Sequence, residues 1–284
     1  MLNCIDRGSG EPVLLLHGIP GSHATWHDAG ASLMKDGIRI VVPDLLGFGG
    51  SPDGSAAPHA LEQAKAIVAT LDDLAIDAAH LAGFDFGGPA AVAVWMLAPQ
   101  RVRSMTLIAA NLLTDTPIPF PLRIANVPLL GELAFRLLFS RAGSDVLWRM
   151  ATVDRDAFPN RAYREYAGAR ELATTRRIFL RSLRELRTLY TPIENALPTI
   201  GVPATVVWAA RDPFFAVATG RKIASRIRDS RFIVIDQCGH FVPAERPVQV
   251  ASAIADTVRR AAEMPQRPAV REETSRCERG GTRC

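Results

Sequence analysis

The chain has 284 residues, 48% of them hydrophobic and 22% charged; this balance suits a globular chain with a sizeable core and excludes a disordered or fibrous one. Most of the formal net charge of +4 sits in the last 26 residues, where seven arginines face four glutamates. The remainder is near neutral and lacks the basic surface that nucleic-acid binding requires.

No stretch approaches the ~20 apolar residues that span a bilayer, and the N-terminus lacks the basic and apolar regions of a signal peptide. A cytoplasmic protein without membrane insertion is expected. The four cysteines, Cys4, Cys238, Cys277 and Cys284, show neither CxxC nor metal-ligand spacing, so neither a disulfide framework nor a metal site is expected.

In chain order, short apolar runs at Val13–Leu16, Ile38–Val42, Ala79–Ala82 and Met105–Ala109 read as strands. Two more follow at Thr205–Trp208 and Phe232–Ile235. Runs without period-2 alternation fit strands buried on both faces of a parallel sheet. Helical patterns lie between them, at about 24–35, 59–73, 87–98, 216–227 and 244–262. The alternation predicts an α/β fold with a doubly wound, mostly parallel sheet.

Between Asn111 and about Leu197 no strand pattern occurs, and helical stretches such as Leu129–Phe139 and Glu171–Leu189 take its place. Residues 112–195 are therefore expected to form a helical cap over the carboxyl ends of the strands, where open α/β sheets bind ligands. The core would comprise 1–111 and 196–264. Residues 265–284, polar and without apolar period, are expected to be a disordered tail.

Four motifs fall just past strand ends. "HGIPGS" at His17–Ser22 is a glycine-rich turn that can aim backbone N–H groups into a cleft, with Ile19 as one donor. "GFDFGG" at Gly83–Gly88 has the spacing of a tight strand-to-helix elbow, which thrusts Asp85 outward and makes the Phe86 N–H a second donor. "WAARDPFF" carries Asp212, which is either a turn cap or an acid. "CGHFVPAERP" carries His240, which is either a loop histidine or a base. Nucleophile, acid and histidine follow one another in an order known from hydrolytic triads, each at a strand's carboxyl end.

Together with "VVPDLLGFGGSPDG", these stretches resemble the successive signatures of α/β-hydrolase-fold enzymes, over roughly residues 7–111 and 195–262. An aspartate at the elbow resembles the epoxide hydrolase and haloalkane dehalogenase branch. A carboxylate attacking a carbonyl would give a reactive anhydride, whereas attack on an sp³ carbon gives a stable alkyl ester. The expected activity is a cofactor-independent hydrolase that forms an alkyl ester on Asp85, with an epoxide as substrate. His240 then activates water, and Asp212 orients the imidazole and stabilises its protonated form. Substrate and water are the only partners expected, the substrate being small and largely apolar.

A haloalkane is the alternative substrate, and a non-hydrolytic binding protein is the alternative of another class. The resemblance implies lid tyrosines that protonate an epoxide oxygen, and the candidates are Tyr163, Tyr166 and Tyr190. It implies N–H donors for a halide, yet Ile19 and Phe86 occupy the matching places with side chains that cannot donate. Trp148 is a candidate halide donor. Trp26 is a candidate pocket residue, with helix packing as its other reading.

Overall fold

The order of a seven-stranded sheet, β1-β3-β2-β4-β5-β6-β7, locates the cleft. The structure, a computed structural model, describes residues 1–117, 123–125, 127, 129–154 and 169–264. The strands are β1 (Cys4–Arg7), β2 (Pro12–Leu16), β3 (Arg39–Pro43), β4 (Ala79–Phe84), β5 (Val102–Ile108), β6 (Ala204–Ala209) and β7 (Arg231–Ile235). Only β1 runs antiparallel, pairing with β3; the other neighbours are parallel. From β2 the chain turns one way to β3 and then the other way to β4. The reversal opens a crevice at the carboxyl ends of β2 and β4, the switch point at which open sheets bind ligands.

Both faces of the sheet are covered. Helix α1 (His27–Lys35) lies on one side, while α2 (Ala60–Asp73) and α3 (Gly87–Leu97) lie on the other. Alternate residues of β2 divide accordingly. Leu14 and Leu16 enter one core with α2 and α3, whereas Val13 and Leu15 enter the other with α1. This is why the central strands read as unbroken apolar runs.

Between β5 and β6 the described helices are α4 (Leu130–Leu138), α5 (Arg141–Ala151), α6 (Ala169–Arg184) and α7 (Leu186–Ala196). Phe135 of α4 and Phe139, which caps it, pack on Phe179, Leu180 and Leu183 of α6, a small core separate from the two sheet cores. The stretch expected as one helix over Glu171–Leu189 is in fact two, parted at Glu185. After β6 come α8 (Val217–Arg226), and beyond β7 the short α9 (Val242–Glu245) and α10 (Pro247–Glu263). Residue α10 side chains such as Val250, Ile254 and Val258 join the α1-side core. Among the described residues, no helix is long and apolar enough to cross a membrane.

Candidate active site

Asp85 sits between the last residue of β4 and the first of α3, with φ of 48°. Aspartate is one of the few side chains that tolerates this left-handed region. The elbow is pinned by its own backbone: Asp85 N–H donates to the Ile108 carbonyl at 3.0 Å, and Gly88 N–H to the Asp85 carbonyl at 3.0 Å. Its tightness explains the glycine at 87, where a Cβ would lie 2.3 Å from the Leu16 carbonyl oxygen. The side chain is thereby presented at the N-terminus of α3, whose dipole favours a carboxylate.

The turn after β2 meets it. Ile19 N–H donates to Asp85 Oδ1 at 2.8 Å. Gly18 must be glycine here, because a Cβ would stand 2.6 Å from Asp85 Cβ. His17 braces the turn from below: its Nε2 accepts from Leu45 N–H at 2.9 Å, so Nδ1 carries the proton and donates to the Gly18 carbonyl at 2.8 Å. Burial holds this imidazole down to about 4, and it therefore stays neutral. Phe86 follows Asp85 at the start of α3, where first-turn N–H groups have no partner within the helix.

Past β6, Asp212 uses both of its oxygens. Oδ1 accepts from Phe214 N–H at 2.8 Å and from Phe215 N–H at 3.0 Å; Oδ2 accepts from His240 Nδ1 at 2.8 Å. The two readings of Asp212 thus coexist in one carboxylate, a turn cap on one oxygen and an imidazole partner on the other. The other ring nitrogen, His240 Nε2, lies 3.6 Å from Asp85 Oδ2. Burial opposes charge on His240, but the Asp212 and Asp85 carboxylates outweigh it and push the imidazole up to about 10. The edges and faces of Phe84, Phe214, Phe215 and Phe241 surround the ring, with centroids 5.0 to 5.6 Å away.

A cavity of about 100 Å³ opens on Asp85. Ile19, Asp85 and Phe86 contribute from the strand ends, and Phe179, Ser182, Leu183, Leu186 and Tyr190 from α6 and α7. Its wall is mostly apolar, with Asn111, Thr116, Ser182 and Tyr190 as polar points beside the carboxylate. Tyr190 pairs with Ser182, and burial, reinforced by the Asp85 charge, pushes its phenol up to about 12. It therefore keeps its proton at neutral pH and can donate it. Among the described residues, no cluster of His, Cys, Asp and Glu is arranged to hold a metal ion.

The structure brings Ile19, Asp85, Phe86 and Tyr190 together on the cavity wall, sets His240 against Asp85 and Asp212 against His240, and leaves other candidates outside. Trp26 does not line the cavity: it is fully buried on the α1 face of the sheet, packed among Val13, Leu15 and Leu33, because the turn carrying it leads straight into α1. Trp148 is not a cavity residue either. It stacks on Phe241 at 3.8 Å, on the face of α5 that also buries Ser144 and Ala151. Tyr163 and Tyr166 lie outside the described residues. Sequence reasoning missed Asn111, Thr116, Ser182, Phe214 and Phe215; only the aromatic pair, directly following Asp212–Pro213, carried a local signal.

A family model described as alpha/beta hydrolase fold matches residues 11–247. The chain is 26% identical over 257 residues to a 2-hydroxy-6-oxononadienedioate/2-hydroxy-6-oxononatrienedioate hydrolase of Cupriavidus pinatubonensis, covering 86% of each chain. It is 25% identical over 272 residues to haloalkane dehalogenase 2 of Mycobacterium tuberculosis, covering 90% of each. Among solved structures, epoxide hydrolase CorEH superposes with a TM-score of 0.74 at 19% identity, covering 91% of this chain and 93% of that one.

Proposed function

The chain belongs to the α/β-hydrolase fold family, and from that premise we propose that it hydrolyses epoxides to diols through an alkyl ester on Asp85. One observation carries the reading: a carboxylate at the elbow is gripped by Ile19 N–H and flanked by an Asp212-backed imidazole, inside a cavity that also holds a protonated phenol. A carboxylate nucleophile suits an sp³ carbon and not the carbonyl of an oxo-acid substrate such as the one named for the Cupriavidus relative.

In the first step Asp85 Oδ2, the oxygen not held by Ile19, attacks an epoxide carbon. The C–O bond breaks, and Tyr190 gives its proton to the departing oxygen. In the second step His240 takes a proton from water, whose oxygen attacks Cγ of Asp85. The Ile19 and Phe86 N–H groups hold the oxyanion, an arrangement whose loss costs ~10²–10³ in rate per donor. Collapse passes the remaining hydroxyl proton to the departing oxygen, frees the diol and restores the Asp85 carboxylate beside a protonated His240, as at the start.

The ester also solves a problem of charge. A histidine held near 10 is an acid at neutral pH, not a base. Esterification removes the negative charge of Asp85, so the imidazole passes its proton through water to the Tyr190 phenolate and becomes a base for the second step. The helices between β5 and β6 act in this reading as a cap, since α6 and α7 supply the apolar wall that excludes bulk water.

A haloalkane is a second reading, favoured by the likeness to haloalkane dehalogenase 2 and by the Asn111 amide on the cavity wall. Parallel assays of diol from small terminal epoxides and of halide from matched haloalkanes separate the two. Repeated turnover in ¹⁸O-water is expected to label the Asp85 carboxyl group. Sustained turnover with an unlabelled Asp85 peptide overturns the nucleophile assignment.

A further inference from the structure

Glu245 ends the short helix α9 that begins two residues after His240, yet it takes no part in the steps above. Its side chain is 3% exposed, and a buried carboxylate is costly unless its lone pairs are filled. They are filled from two directions. Oε1 accepts from Gly239 N–H at 3.0 Å, while Oε2 accepts from Val153 N–H at 2.9 Å and Asp154 N–H at 3.1 Å. The first donor precedes the site imidazole; the other two lie just beyond the end of α5, in the helical segment.

The same seam is stitched twice more. His240 N–H donates to the Ala151 carbonyl at 2.8 Å, and Arg246 reaches Asp154 Oδ2 at 3.2 Å. The chains approach so closely at Gly239 that a Cβ would lie 2.1 Å from the Ala151 oxygen. Both peptide N–H groups that set the His240 backbone therefore end on, or are shared with, the end of α5. Asp85 is anchored elsewhere, to Ile108, Gly88 and Ile19.

We propose that Glu245 is a positioning residue that couples the end of α5 to the His240 loop, so that this end of the helical segment sets the imidazole for ester hydrolysis and leaves ester formation untouched. The inference rests on the Asp85 ester reading for its kinetic consequence. A base misplaced by about 1 Å can lose ~10²-fold in rate, and only the second half-reaction uses the base.

The test measures the two half-reactions separately, by rapid quench and intact-protein mass spectrometry, in the wild type and in two variants. Glu245→Gln removes a carboxylate oxygen and turns an NH₂ group toward N–H donors. Val153→Pro removes one donor on the α5 side and leaves the Gly239 contact intact, so it separates coupling from local support of the loop. Expected in both is ester formation within twofold of wild type, with ester hydrolysis slowed at least tenfold and the ester accumulating. Amide hydrogen exchange at Gly239 and His240 should quicken at least tenfold in Val153→Pro, a readout independent of substrate.

Unchanged hydrolysis in both variants overturns the proposal, as does slowed hydrolysis in Glu245→Gln alone, which would mean local support only. Equal slowing of both half-reactions also overturns it. If the wild type forms no ester, the Asp85 reading fails, and the exchange at Gly239 and His240 still decides whether the coupling exists.

Discussion

Replacing Asp85 by asparagine should change the acidity of His240 by a predictable amount. His240 Nε2 lies 3.6 Å from Asp85 Oδ2. At that distance and an effective dielectric of ~20, one opposite charge is worth roughly 4 to 5 kcal/mol, or about 3 pH units. The charge is shared between two carboxylate oxygens, of which the nearer is the one measured, so a fall of about 2 to 3 units is expected. The imidazole held near 10 in the wild type should then titrate at about 7 to 8. Asparagine at 85 imitates the neutral ester, and the variant thus reads the acidity of His240 in the intermediate. The assay is NMR titration of ¹³C- and ¹⁵N-labelled histidine. The chain has six histidines, and the His240 signal is identified by its loss in His240→Gln. A shift of less than half a unit would refute the argument that ester formation turns His240 into a base.

The same linkage reaches stability. The folded pKa of His240 exceeds its unfolded value of ~6.5, so its stabilising effect is complete below that pH and is lost as pH rises through about 10. Urea denaturation should show wild-type stability falling across this window, and a smaller loss, finished by about pH 8, in Asp85→Asn. Tyr190→Phe removes the proton donor and should cut ester formation from an epoxide by ~10²-fold or more. Ester formation from a haloalkane, whose leaving group needs no proton, should be spared. Equal losses on both substrates would remove Tyr190 from its role. Gly18→Ala places a methyl 2.6 Å from Asp85 Cβ, and overpacking of this kind costs ~1 to 3 kcal/mol. Thermal denaturation and the rate of ester formation should both fall, and a variant as stable and active as the wild type would contradict the close approach of the two turns.

The parallel strands were legible because burial on both faces leaves an unbroken apolar run, as in Val13–Leu16. Strand β1 escaped notice: it has four residues, half of them exposed, and exists through its pairing with β3. Asp85, Asp212 and His240 stood out because each follows a strand that the pattern already marked, and strand ends converge on one crevice. Trp26 and Trp148 went the other way. Trp26 was a pocket candidate, with helix packing as its other reading, and Trp148 a candidate halide donor, whereas the direction of a side chain depends on which neighbour its helix packs against, α1 on the sheet for one and the Phe241 loop for the other. Ser182 and Glu245 had no signal at all. Ser182 meets Tyr190 only because the chain bends between α6 and α7 at Glu185, and Glu245 meets Val153 only after segments 92 residues apart have docked.

The covalent intermediate on Asp85 is most directly tested by trapping it. His240→Gln keeps a side chain of similar reach but cannot take a proton from water, so the first step should proceed and the second should stop. Incubated with a small terminal epoxide that the wild type turns over, the variant should gain the mass of one intact epoxide, and peptide mapping should place it on Asp85. A folded His240→Gln protein that gains no mass, under conditions where the wild type makes diol, would contradict the account.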